Sequence, residues 1–194
     1  MQPTILPRTR AGHIPGEAGV WVLILGDMFA FSAFFAVFLV HRAQDVVLFG
    51  ISQATLGRRF GLLNTVLLLT SSLFVARAVI AARAGARIRS ARLLMFALTC
   101  GGAFVVSKAF EWGGKIAAGI TLNTNEFYGF YYMFTGIHLL HVLVGMGVLM
   151  YLLARSRRDD PGPSYVAVME GGGAFWHMVD LIWVLLFALF YLLR

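Results

Sequence analysis

One segment decides the fold: residues 128–154, which run YGFYYMFTGIHLLHVLVGMGVLMYLLA. The segment contains no Asp, Glu, Lys or Arg. An α-helix rises 1.5 Å per residue, so about twenty apolar residues cross the roughly 30 Å hydrocarbon core of a bilayer. This length and composition predict a transmembrane helix.

Four more segments have the same character. The five predicted spans are residues 18–41, 60–82, 92–117, 128–154 and 174–193. They are apolar around most of their circumference, whereas a helix of a soluble protein keeps a polar stripe. The chain is 59% hydrophobic and 13% charged, against about 25% charged in an average soluble domain. The sequence predicts an all-α integral membrane protein, a bundle of five transmembrane helices that follows an N-terminal segment, residues 1–17.

Positive charges predict the orientation of this bundle. With five spans, the N-terminus and the second and fourth connections share one side of the membrane. That side carries Arg8, Arg10, Arg83, Arg87, Arg89, Arg92, Arg155, Arg157 and Arg158, and the other carries Arg42, Arg58, Arg59, Lys115 and Arg194. Lys and Arg mark the cytoplasmic side of membrane proteins. We therefore expect a cytoplasmic N-terminus and a periplasmic C-terminus in a bacterial inner membrane, and we assign the arginines to topology, not to nucleic acid.

Asp27, Lys108 and Glu111 lie inside the predicted spans, where a charged group costs roughly 2.5–3.5 kcal/mol on insertion scales. Asp27 is a candidate proton-exchanging carboxylate, or a structural one that accepts hydrogen bonds from a neighbouring helix. Lys108 and Glu111 are three residues apart, so they share a helix face and are predicted to form an intramembrane ion pair.

Histidines raise the question of a metal. His138 and His141 are three apart in the fourth span, and His177 lies in the fifth, three residues before Asp180. A zinc site needs further donors at a compatible depth, and bis-histidine haem ligation needs the two histidines on opposite sides of the haem. The residues alone leave three hypotheses open: a subunit of a larger complex, a small proton or solute transporter, and a membrane haem-binding cytochrome.

Two stretches resemble the signatures of a known family. Residues 135–145, TGIHLLHVLVG, resemble the Thr-Gly-x-His-x-x-His-Val-x-x-Gly signature of cytochrome c oxidase subunit III. Residues 175–183, FWHMVDLIW, resemble that family's Trp-His-Phe-Val-Asp-x-x-Trp motif. The resemblance extends from about residue 18 and corresponds to the last five helices of the seven-helix form.

Weaker matches carry two departures from the family pattern. Asp27 falls where the family usually has the Glu of its carbodiimide-reactive helix. Lys108 replaces the Gln of a Gln-x-x-Glu-Tyr pattern, and in this it is similar to the five-helix accessory proteins of nitric oxide reductase.

The resemblance implies a non-catalytic subunit of a haem–copper oxidase or nitric oxide reductase, with no catalytic or metal-binding residues of its own. Haem and copper are then held by a subunit I-like partner, on which this chain docks to support assembly, turnover or proton uptake, and a phospholipid is a further expected ligand. The resemblance also implies that His138, His141, His177 and Asp180 are structural polar contacts between helices.

Overall fold

The computed structural model describes residues 18–158, 162 and 164–193, and the predicted N-terminal segment, residues 1–17, lies outside these. The helices are α1 (Ala18–Gln44), α2 (Val46–Ala54), α3 (Arg58–Arg83), α4 (Arg87–Ala117), α5 (Glu126–Ser156) and α6 (Tyr165–Phe187), which continues as a π-helical segment (Ala188–Leu192). Within the described residues there is no strand. Five helices, α1, α3, α4, α5 and α6, are long and apolar enough to cross a membrane. The predicted fold class is confirmed.

Helix α6 is the centre of the bundle, with α1, α3 and α5 as neighbours. Helices α3 and α4 form an antiparallel hairpin in which Ser71 Oγ donates to the Ala97 carbonyl (2.9 Å) and Ser90 Oγ to the Ala78 carbonyl (3.0 Å). Small residues allow close approach elsewhere. A Cβ at Gly145 of α5 would lie 2.8 Å from Trp176 of α6. Such contacts stabilise helix pairs in lipid, where the hydrophobic effect does not drive association.

The connections are shorter than the sequence predicts. Residues 42–59 include α2, whose first turn is capped by Asp45 Oδ1 accepting from the Leu48 amide (2.9 Å). Helix α4 begins five residues before the predicted start of the third span. Helix α6 begins nine residues early and contains Gly171–Gly173, which the sequence places in a loop. The reason is tertiary: a Cβ at Gly172 would lie 2.8 Å from the Leu152 side chain, so the glycines permit α6 to pack on α5.

Candidate functional site

A buried ionic cluster joins α4, α5 and α6, and we define it as Lys108, Glu111, Tyr131 and Tyr191. Lys108 Nζ donates to Glu111 Oε2 at 2.9 Å, to the Tyr131 hydroxyl at 3.1 Å and to the Tyr191 hydroxyl at 3.3 Å. The two charged residues are 1% and 5% exposed. They lie in the half of α4 nearer its C-terminal end.

The second carboxylate oxygen of Glu111 is also satisfied. Glu111 Oε1 accepts from the Tyr131 hydroxyl at 2.9 Å and from the Tyr191 hydroxyl at 2.5 Å. The π-helical segment carries Tyr191, and the Trp183 ring lies 5.1 Å from Lys108 Nζ. The cluster pairs one positive and one negative charge and gives each charged group several hydrogen bonds, which is the arrangement that makes buried charges tolerable.

His138 lies deep in the interior and is fully buried. Its ring contacts Phe104 and Trp183, with centroids 5.9 and 5.4 Å apart. Neither ring nitrogen has a hydrogen-bond partner among the described residues. The family motif leads us to expect a polar contact here, and the observed contacts are aromatic.

Asp27 and His141 connect the outer helix α1 to α5. His141 Nε2 lies 3.4 Å from Asp27 Oδ2, and His141 Nδ1 lies 2.8 Å from the Ile137 carbonyl. Both side chains are partly exposed, and both line a cavity of about 180 Å³. Asp27 therefore has one ionisable neighbour and access to the space between α1 and α5.

Helices α3 and α6 share a polar seam, defined here as Ser72, His177 and Asp180. His177 Nδ1 lies 2.5 Å from Ser72 Oγ. His177 is exposed although it stands near the middle of its span. Asp180 is buried, and its Oδ1 has no hydrogen-bond partner among the described residues. The seam thus presents an ionisable side chain at membrane depth on the outside of this chain.

No group of three or more His, Cys, Asp or Glu that could hold a metal ion occurs in the described part of the chain. The histidines are instead divided among different neighbours. His141 contacts α1, His177 contacts α3, and His138 is enclosed by aromatic rings. These three histidines therefore do not converge on one another.

Sequence reasoning missed the two tyrosines of the ionic cluster and Ser72 of the polar seam. Tyrosines near the ends of apolar spans are usual at membrane interfaces, so their positions alone do not indicate a buried carboxylate. A weak signal was present: a buried Lys–Glu pair needs more hydrogen-bond partners than two side chains supply.

Comparison with known proteins identifies the family. A family model described as cytochrome c oxidase subunit III matches residues 10–194. A Nocardia farcinica protein named probable cytochrome c oxidase subunit 3 is 26% identical over 178 residues, 92% of this chain and 88% of that protein. An Aeropyrum pernix protein named heme-copper oxidase subunit I+III is 26% identical over 182 residues, 91% of this chain and 22% of that protein. Cytochrome c oxidase subunit 3 of Anopheles gambiae is 27% identical over 179 residues, 89% of this chain and 67% of that protein. The chain therefore belongs to the cytochrome c oxidase subunit III family, the non-catalytic subunits of haem–copper oxidases.

Proposed function

We propose that this chain docks through its transmembrane helices on the catalytic, subunit I-like membrane protein of a haem–copper oxidase superfamily complex. It supports the assembly, turnover or proton uptake of that partner, which holds the haem and copper. The complex resides in a bacterial inner membrane. The name of the Aeropyrum pernix relative joins subunits I and III, which supports the same partner.

The polar seam is the observation that carries the docking role. An ionisable residue that faces lipid near the bilayer centre costs roughly 2.5–3.5 kcal/mol on insertion scales. His177 is exposed in this position, and the neighbouring Asp180 has an oxygen without a partner among the described residues. A partner helix that covers the seam and hydrogen-bonds to it removes this cost.

Co-purification tests the proposal. A tagged chain is expected to recover a large haem-containing membrane subunit, and the variant His177→Leu/Asp180→Leu is expected to reduce this recovery about tenfold. Leu140→Ala/Leu143→Ala, on the exposed face of α5, is the matched control and should change recovery less than twofold. If the seam variant recovers as much partner as the control, the seam is not the docking face.

The same preparation discriminates the other functions. If the tagged chain recovers no haem-containing partner, the accessory role is excluded. A Soret band retained by the chain alone would instead identify a membrane cytochrome. Proton or solute flux in liposomes that contain only this chain would identify a transporter.

Lys108 favours a second candidate partner, a nitric oxide reductase, because this buried lysine stands where the family usually has Gln. The two partners differ in the acceptor that the co-purified complex reduces. Nitric oxide consumption without oxygen consumption supports the reductase, and the reverse supports a terminal oxidase. A gene neighbourhood with oxidase subunits I and II would contradict the reductase assignment.

Asp27 is proposed as a carboxylate that exchanges protons, with His141 as its neighbour at 3.4 Å. The cavity beside the pair connects it to the space between α1 and α5.

The ionic cluster of Lys108 and Glu111 is proposed as structural, since every charged group in it is already paired. An apolar groove of about 330 Å³ between α1, α5 and α6 is the proposed place for a phospholipid chain.

The orientation is proposed from charge alone, with the N-terminus in the cytoplasm. Alkaline phosphatase fused after Arg194 should be active, because that enzyme folds only in the periplasm. The same enzyme fused within the 84–86 connection should be inactive. The opposite pair of results would reverse the topology.

A further inference from the structure

Arginines from the start of α4 and the end of α5 surround a cavity of about 440 Å³ at the end of the bundle far from the ionic cluster. Its lining residues are Arg87, Ile88, Ala91, Arg92, Met95, Ser156, Arg157 and Arg158. We propose that this arginine cavity binds the phosphate headgroup of an anionic phospholipid. The site is separate from the polar seam and from the groove beside α1, and it does not depend on the partner subunit.

The positive charges of Arg92, Arg157 and Arg158 are not neutralised by the surrounding described residues. No acidic side chain in the described part of the chain pairs with Arg92, Arg157 or Arg158. The contact of Arg157 Nη2 is with the sulfur of Met95, at 2.9 Å. Asp159 and Asp160 follow in the sequence and lie outside the described residues.

Hydrogen bonds tie together the helix ends that carry these arginines. Arg87 Nη1 donates to the Arg158 carbonyl at 2.5 Å, which ties the beginning of α4 to the end of α5. Ser156 Oγ lies 2.8 Å from the Tyr165 hydroxyl, which ties the end of α5 to the start of α6. Planar guanidinium groups match the oxygen geometry of a phosphate and bind it in a bidentate manner.

The floor of the cavity favours a lipid over a soluble anion. Ile88, Ala91 and Met95 lie one helical turn apart on α4, and the step from residue 88 to residue 95 descends about 10 Å toward the hydrocarbon core. Ile88 and Met95 are exposed. A free phosphate would use the arginines and leave this apolar face uncovered. A phospholipid uses both, because its phosphate lies at the interface while its acyl chains run down the helix.

Lipid titration with matched variants tests the proposal. Native mass spectrometry of the purified full-length chain would measure its affinity for phosphatidylglycerol. Arg157→Gln/Arg158→Gln is expected to weaken binding roughly 25-fold, about fivefold for each arginine near the headgroups. Arg58→Gln/Arg59→Gln removes the same charge from an adjacent pair at the other end of the bundle and should change the affinity less than twofold. Equal effects of the two variants would overturn the site.

Two further measurements use the unaltered protein, so they do not depend on the folding of a variant. A photoactivatable phosphatidylglycerol should label residues 87–95 and 156–158, and labelling confined to other segments would overturn the proposal. Glycerol 3-phosphate, which has the charged group without the acyl chains, should compete only at a concentration at least 100-fold higher. Competition at equal concentration would show a soluble-anion site and exclude the lipid.

Discussion

Helix α1 and the group α3–α6 are held in the bundle by different physical means. In the most apolar 18-residue stretch of α1, 17% of the residues are buried inside the bundle, against 56% in the corresponding stretch of α6. The group α3–α6 is joined by glycine contacts, serine hydrogen bonds and the ionic cluster. Helix α1 instead reaches its neighbours through long aromatic side chains such as Phe34, which stacks on Phe134 with centroids 5.6 Å apart.

The difference shows which contacts specify a membrane fold. Close backbone approach and buried hydrogen bonds fix the distance and rotation of two helices, since small shifts break them. Aromatic contacts between separated backbones tolerate such shifts. We therefore expect α3–α6 to behave as one rigid unit and α1 as an attached helix, and the following variants test this expectation from the largest effect to the smallest.

Glu111→Ala should have the largest effect, because it leaves the Lys108 ammonium buried without its counter-charge. Removing one member of a buried pair costs about 3–5 kcal/mol. The loss is measured as the free energy of unfolding in detergent. Glu126→Ala is the control, since Glu126 pairs with His41 at an exposed position, where a pair contributes about 1 kcal/mol or less.

The double variant Lys108→Met/Glu111→Gln completes this experiment. It removes both charges, so much of the stability lost in Glu111→Ala should return. A double variant as unstable as the single one would contradict a structural ion pair.

Gly145→Ala should destabilise the core by about 1–3 kcal/mol, the usual cost of overpacking. Its Cβ would lie 2.8 Å from the Trp176 ring, which is buried and cannot move aside. Gly147→Ala on the same helix is the control, because a Cβ there meets nothing within 4 Å. Equal melting temperatures for the two variants would argue against the close approach of α5 and α6.

Phe38→Ala should loosen the packing of α1, because it removes the ring contacts that Phe38 makes with Phe49 and Phe130. Phe38 is buried and contacts Phe190 with centroids 5.1 Å apart. Hydrogen exchange should rise in α1 and stay unchanged in α4. Phe29→Ala, on the exposed face of α1, is the control and should leave hydrogen exchange unchanged in both α1 and α4. A rise that spreads equally over all helices would show that α1 is part of the rigid unit.

Asp27→Asn should have the smallest effect on stability, because it keeps the shape of the side chain and one oxygen to accept from His141, and it removes a charge that is costly at membrane depth. Its expected effect is on the partner, as a lower turnover of the co-purified complex with unchanged recovery. Ser32→Ala, which removes only a hydroxyl bonded to its own helix, is the control. If the complex that contains Asp27→Asn keeps its full turnover, Asp27 does not exchange protons and is a structural residue.

Local sequence patterns predicted a large part of this molecule. The number of spans, the sharing of one helix face by Lys108 and Glu111, and the family were all accessible before the structure. The short helix α2 and the helical state of Gly171–Gly173 were not, because glycine usually indicates a loop in a soluble protein. In a membrane bundle the same glycines serve helix packing.

The sequence by itself determined the five spans, since lipid is a uniform solvent and the length of an apolar segment decides whether it crosses. It also determined the family, through two motifs that are continuous along the chain. Only the tertiary structure decided that Tyr131 and Tyr191 converge on Glu111, that His138 is enclosed by aromatic rings, and that His177 is exposed. These features depend on which helices are neighbours and how each is rotated, and that is set by packing between residues far apart in the sequence.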